Sequence, residues 1–229
     1  EYGGTIAWWK TPAPGEGDPT LAGKRAIVIG GGISGIAAAV EMHRRGAEYL
    51  LLEKNEEFGG TWWENRYPGC GVDTPNLTYT FSFEPNDWAN YFPMREEIDH
   101  YIRGTARKHG LYDRTRFGTK VERAEWIEAE HCWEVTATNA AGEVERHRAD
   151  LLFSAVGLLN TPKYPDIPGL ETFAGPVIHS SHWPKEMDLA GKRVAVVGNG
   201  ASAMQVVPEV ADRVAEVVGG RDRARAAAR

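Results

Sequence analysis

Apolar positions along this chain fall twice into the same arrangement. The first runs from Lys24 through Ala26-Ile27-Val28-Ile29 and turns at Gly30-Gly31-Gly32-Ile33-Ser34-Gly35. An apolar, Ala-rich segment from Ile36 to Met42 follows, and then Tyr49-Leu50-Leu51-Leu52 leads to Glu53. Short apolar runs bounded by glycine read as buried strands and the longer segment between them as a helix, so the stretch predicts strand, tight turn, helix, strand. The second copy begins at Lys192-Arg193-Val194-Ala195-Val196-Val197 and turns at Gly198-Asn199-Gly200-Ala201-Ser202-Ala203. It predicts a helix over Met204 to Ala211, with Pro208 a potential kink, and a strand over Val214 to Val218.

Between the two copies the periodicity changes. Phe58 to Pro75 is dense in Gly, Trp, Tyr and Pro, too irregular for a helix and too aromatic for a simple surface loop. Long loops of this kind in compact domains usually carry function. Arg95 to His109 predicts an amphipathic helix with Ile98, Tyr101, Ile102 and Ala106 near one face, ended by Gly110. Lys120 to Ile127 and Cys132 to Thr138 predict strands, and the turn at 139–142 returns through Glu143 to His147 as a hairpin. Asp150 to Gly157 predicts a buried strand. Pro162, Pro165 and Pro168 then mark an extended connector.

Each glycine turn suits a diphosphate. In the first, Gly30 allows the turn, Gly32 lets backbone approach a pyrophosphate, and Gly35 lets helix and strand pack closely. Free N–H groups and the dipole at the helix start favour an anion. Glu53 lies at the usual spacing for an acid that bonds a ribose hydroxyl. The competing reading, a glycine-rich loop at a strand end, weakens when the pattern occurs twice, because two such turns imply two nucleotides in two related domains.

Composition narrows the partners. The 229 residues carry a formal net charge of -6, so no basic field suggests nucleic acid or a membrane surface. No apolar run is long enough for a membrane span, and no signal-peptide pattern opens the chain. Cys70 and Cys132 form no CxxC pair or metal-ligand cluster, so no metal is expected and buried thiols in a reducing cytoplasm are the default. The eight tryptophans, several in predicted loops, hint at an aromatic-lined site, although core packing explains most tryptophans.

Phe173-Ala174-Gly175-Pro176-Val177-Ile178-His179-Ser180-Ser181-His182-Trp183-Pro184 agrees with the pattern FxGxxxHxxxW(P/D) at every fixed position. Set between two dinucleotide turns, this stretch resembles the fingerprint of Baeyer–Villiger monooxygenases. The loop Gly59 to Gly69, with Asp73 close behind, is similar to the flavin-contacting loop of that family. Cys70-Gly71-Val72-Asp73-Thr74-Pro75 and the chain ahead of the first strand look most like its 4-hydroxyacetophenone branch. The resemblance covers roughly residues 20–218.

It implies an α/β fold of two Rossmann-like dinucleotide-binding domains, an FAD domain with an NADPH domain inserted, the second one truncated here. The expected boundaries are a leader over 1–22, an FAD-binding domain over 23–157 without its closing part, a linker over 158–185 and the start of an NADPH-binding domain over 186–229. The implied cytoplasmic enzyme reduces FAD with NADPH, and a C4a-peroxyflavin inserts one atom of O2 into a small ketone to give an ester or lactone. The isolated fragment would be inactive. The alternatives are an N- or S-oxygenating flavoprotein of the same architecture and a non-catalytic FAD-binding remnant. A dithiol-disulfide reductase is disfavoured because Cys70 has no nearby partner.

The resemblance also assigns residues. Gly30, Gly32, Ile33, Ser34, Gly35 and Glu53 would hold the FAD diphosphate and ribose. Gly60, Thr61, Trp62, Trp63 and Glu64 would line the flavin, with Asp73, Tyr79, Val121 and Gly157 also touching FAD. Gly198, Asn199, Gly200, Ala201, Ser202 and Ala203 would hold the NADPH pyrophosphate. Asp73 matches the carboxylate that holds the family's active-site arginine, which lies outside this sequence; its competing reading is an Asx turn before Thr74-Pro75. Phe173, Gly175, His179, Trp183 and Pro184 would form a hinge between domains, a reading preferred over His179 as general base. At least one of Trp62 and Trp63 should face cofactor or substrate. His182 reads as a surface histidine. Arg221 stands where an arginine could meet a ribose 2′-phosphate, but the Arg/Ala-rich tail around it reads better as a solvated charge run.

Overall fold

A computed structural model of the chain describes residues 20–219. Most of the expected leader, including Trp8 and Trp9, and the basic tail with Arg221 lie outside the described residues. The described chain divides into two compact units. The first takes residues up to Trp63, Tyr79–Asp87 and Asp99–Leu158; the second takes Glu64–Thr78, Trp88–Ile98 and the chain from Leu159 on. This division interleaves the stretches, whereas the boundaries read from sequence cut the chain in order.

In the first unit the predicted strand, helix and strand form as β1 (Arg25–Ile29), α1 (Ile33–Arg44) and β2 (Glu48–Leu52). The helix starts directly after the glycine turn, a full turn earlier than its apolar segment. Ile36, Ala39 and Val40 recur at helical spacing and are buried, which fixes the face α1 turns inward. In the expected loop a single helical turn, α2 (Thr61–Glu64), forms instead of wholly irregular chain, with the N–H of Trp62 and Trp63 closing back on Gly59 and Gly60. One turn is too short to leave a periodic signal.

Helix α3 (Arg95–Lys108) follows as expected. Its residues in the first unit bury Ile102 and Ala106 completely, and an isoleucine side chain contributes about 1.5–3 kcal/mol when fully buried. A two-residue strand, β3 (Thr115–Arg116), was not predicted. It pairs in parallel with β2 and is too short to show alternation.

Strands β4 (Lys120–Ile127), β5 (Cys132–Thr138) and β6 (Val144–Ala149) form an antiparallel sheet in the order β4-β5-β6. Asn139 closes the hairpin by accepting the N–H groups of Ala141 and Glu143, each at 3.0 Å. The last strand of the unit, β7 (Leu151–Ser154), is shorter than the predicted 150–157 run and only half-buried. Its place explains this: the parallel sheet runs β3-β2-β1-β7, so β7 is an edge among the described residues. Ile27 and Leu52 from the parallel sheet meet Val135, Ala137 and Ala149 from the antiparallel one, giving one apolar layer between the two sheets.

In the second unit β8 (Arg193–Val196) and β9 (Glu216–Gly219) pair in parallel, joined by α4 (Ala201–Ala211). The helix starts before the predicted Met204 and continues through Pro208.

Burial pushes the hydroxyls of Tyr49, Tyr101 and Tyr112 in the first unit, and of Tyr67 in the second, from 10.0 up to about 12. A phenol with a raised folded pKa supports folding fully below its unfolded pKa and loses that contribution as pH rises through the folded value. Denaturation midpoints should therefore fall between about pH 10 and 12, with tyrosinate absorbance rising as the chain unfolds.

Candidate functional site

The first glycine turn sits at the carboxyl end of β1. Gly30 has a φ of +102°, which side-chain-bearing residues rarely adopt, and a Cβ there would lie 2.5 Å from the carbonyl oxygen of Ala155. A Cβ on Gly35 would run into the carbonyl oxygen of Gly30, so α1 is seated backbone to backbone on the turn. Gly32 is the N-cap and offers no side-chain cap. The N–H groups of Ile33, Ser34 and Gly35 therefore have no acceptor within the helix. Three donors, no intruding Cβ and the positive end of the helix dipole meet beyond the C-terminal edge of a parallel sheet.

Glu53 ends β2 and is only 3% exposed. Its carboxylate accepts the Gly31 N–H at 2.5 Å and the Asn55 N–H at 2.7 Å. It therefore fastens the glycine turn to the second strand, while each oxygen keeps a lone pair for a further donor. Gly60 approaches the same turn so closely that a Cβ on it would lie 2.9 Å from the Gly32 Cα.

The residues expected around a flavin are disposed unevenly. Thr61 is exposed. Trp62 is 7% exposed; its Nε1 donates to the Tyr79 hydroxyl at 2.7 Å and the two rings meet edge to face at 5.5 Å. That ring is committed to the protein. Trp63 is half-buried, with the Arg103 guanidinium 6.0 Å from its ring centroid. Val121 lies at a bulge in β4 and packs on the shared apolar layer, and Gly157 lies exposed just past β7. Glu64 and Asp73 fall in the second unit. The Asp73 side chain is exposed and forms no hydrogen bond with a described residue, so the Asx turn does not form.

The second turn repeats the first in backbone but not in packing. Gly198 has a φ of +118°, and Gly200 caps α4 without a side chain. The N–H groups of Ala201, Ser202 and Ala203 again lack helical acceptors. Here a Cβ on Gly200 would meet nothing within 4 Å, and its φ of -79° suits any residue. Neither packing among the described residues nor backbone requires a glycine at 200. Asn199 is exposed beside it.

Within the fingerprint, Gly175 has the Phe173 ring folded against it, where a Cβ would lie 2.7 Å away. The Nδ1 of His179 accepts the Ser181 N–H at 3.2 Å and lies 2.8 Å from its Oγ. That nitrogen holds a turn at Ser180–His182. His182 and Pro184 are exposed. Trp183 lines a cavity of about 520 Å³ together with Arg66, Tyr67, Gly69 and Glu209.

Residues 23–223 match the model of the family described as FMO-like, flavin-binding monooxygenase-like. The chain belongs to that family. It is 43% identical over 192 residues to a Baeyer–Villiger monooxygenase of Streptomyces coelicolor, covering 83% of this chain and 36% of that one. It is 40% identical over 202 residues to a Baeyer–Villiger monooxygenase of Pseudomonas aeruginosa, covering 86% and 38%. Among solved structures, cyclohexanone monooxygenase from Rhodococcus sp. Phi1 bound to NADP+ superposes with a TM-score of 0.77 at 38% identity, covering 86% of this chain and 37% of that chain. OTEMO in complex with FAD and NADP superposes with a TM-score of 0.78 at 34% identity, covering 86% and 39%. The chain thus spans roughly a third of the length of the relatives it matches. No described helix is long and apolar enough to cross a membrane.

Sequence reasoning missed two residues near the second turn of this flavin-binding monooxygenase-like chain. Tyr67 and Gln205 hydrogen-bond at 2.8 Å, and they stand 138 positions apart, so no local pattern joins them. The two turns should respond differently to an added methyl. Gly35→Ala should cost about 1–3 kcal/mol or prevent folding through overpacking. Gly200→Ala should cost under about 1 kcal/mol, the range of a helix cap, yet weaken dinucleotide binding at least about tenfold. Denaturation curves and NADP+ titration of both variants check this.

Proposed function

We propose that this chain is the nucleotide-binding part of a Baeyer–Villiger monooxygenase that uses FAD and NADPH. The observation that carries the reading is the repeated uncapped helix start beyond a parallel strand, with the fingerprint between the copies. The same relatives and solved structures support it, among them OTEMO with FAD and NADP and a cyclohexanone-bound cyclohexanone monooxygenase. The FAD domain is read as 23–157, the linker as 158–185 and the NADPH domain as beginning at 186.

The first turn suits FAD: donors are free at Ile33, Ser34 and Gly35, no Cβ intrudes at Gly32, and the Glu53 carboxylate has lone pairs to spare for a ribose. The second suits NADPH through the N–H groups of Ala201, Ser202 and Ala203. When bound, the flavin supplies the redox chemistry, so that ketone, O2, NADPH and a proton become ester or lactone, NADP+ and water. This chain's residues bind and orient. Helix starts neutralise phosphate charge, and Gly60 to Glu64 border the ring site. Asp73, exposed in the second unit, is the carboxylate that the resemblance assigns to hold a cation. Water exclusion around the reacting oxygen falls to the aromatic loop and its neighbours. A small ketone is the substrate class, and the cytoplasm the expected compartment.

The test uses the complete gene product loaded with FAD, given cyclohexanone and a thioether in the presence of NADPH. A lactone formed in step with NADPH consumption is expected. Oxidation confined to sulfur would favour the heteroatom-oxygenating alternative, and failure to retain FAD would refute the reading. Asp73→Ala should keep FAD and NADP+ binding while lowering lactone formation at least about 100-fold, with hydrogen peroxide replacing it.

A further inference from the structure

Inside the second unit, hydrogen bonds tie the helix that begins at the second glycine turn to the loop at 67–71. The Tyr67 hydroxyl lies close to the side chains of Ser202, in the first turn of α4, and Cys70. The Tyr67 hydroxyl in turn donates to Gln205 Oε1 at 2.8 Å. Gln205 Nε2 donates to the Gly71 carbonyl at 2.8 Å. Both ends of one amide are thus spent on one loop, and the residues they hold flank Gly69 and Cys70. The fit is close: a Cβ on Gly69 would lie 2.6 Å from the Gln205 carbonyl oxygen.

Backbone hydrogen bonds hold the far side of that loop. Cys70 accepts the Arg95 N–H at 2.8 Å, and the Val72 N–H donates to Pro93 at 3.0 Å. Asp73 comes next and has no side-chain anchor among the described residues. Its position follows from where Gly71 and Val72 are held.

We infer that Tyr67 and Gln205 are positioning residues that couple occupation of the second glycine turn to the placement of Asp73. The inference rests on the reading of that turn as a nicotinamide-dinucleotide site. A phosphate seated on the N–H groups of Ala201 to Ala203 pulls on the first turn of α4. Because Gln205 sits within the helix whose first turn meets the phosphate, any shift of that helix also reaches Gly71 directly. The loop is thereby informed of the bound dinucleotide without touching it. Neither residue need contact substrate or cofactor.

Hydrogen exchange of the complete FAD-loaded protein, with and without NADP+, tests this. In the unmodified protein NADP+ should change exchange of the amides at 70–73 at least about threefold. Gln205→Met keeps the volume and removes both bonds; Tyr67→Phe removes only the hydroxyl. Each variant should bind NADP+ within about threefold of the unmodified protein and lose the loop response. A response of full size in Gln205→Met would overturn the inference. So would an unresponsive loop in the unmodified protein while NADP+ binds. Absence of NADP+ binding to the unmodified protein would instead refute the reading of the second turn, and the coupling with it.

Discussion

The first unit is organised by a contact that no side chain can make. Helix α1 rests on the glycine turn with Gly35 against the carbonyl of Gly30, and Gly30 in turn presses on the carbonyl of Ala155. Backbone touching backbone fixes the height of the helix start above the sheet. The N–H groups of Ile33, Ser34 and Gly35 are thereby delivered, without a cap, to the mouth of the parallel strands. Burial of Ile36, Ala39 and Val40 against the sheet holds the helix there. Glu53 locks the arrangement by taking the Gly31 N–H from the neighbouring strand.

The second turn makes the same promise to a ligand by other means. No described residue presses on Gly200, so internal packing does not account for its lack of a side chain. One turn is glycine-rich because the fold would not close otherwise; at the other, open space is what the glycine preserves. Sequence motifs score the two as equivalent. Only packing separates them.

Much of this was legible from the residues. Runs such as Ala26-Ile27-Val28-Ile29 and the spacing of Ile98, Ile102 and Ala106 declare their elements because burial imposes period and length. The glycine turns were legible because a tight strand-to-helix turn with close backbone packing leaves few residue choices at positions such as Gly30 and Gly35. What escaped was short or distant. Strand β3 has two residues and helix α2 four, below the length at which a period exists. The burial of Trp62 depends on Tyr79, and the grip on Gly71 depends on Gln205; both are tertiary partnerships that local pattern cannot express. Asp73 allows two readings from sequence, a turn former or the carboxylate that holds an arginine outside this sequence, and the described residues show no turn bond.

Two separate diphosphate cradles are the claim on which the functional account stands. Calorimetric titration of NADP+ into the complete, FAD-loaded protein measures it most directly. The account requires one NADP+ bound for each FAD, with the flavin retained throughout. Displacement of FAD by NADP+, or no heat of binding alongside an unperturbed flavin spectrum, would contradict it.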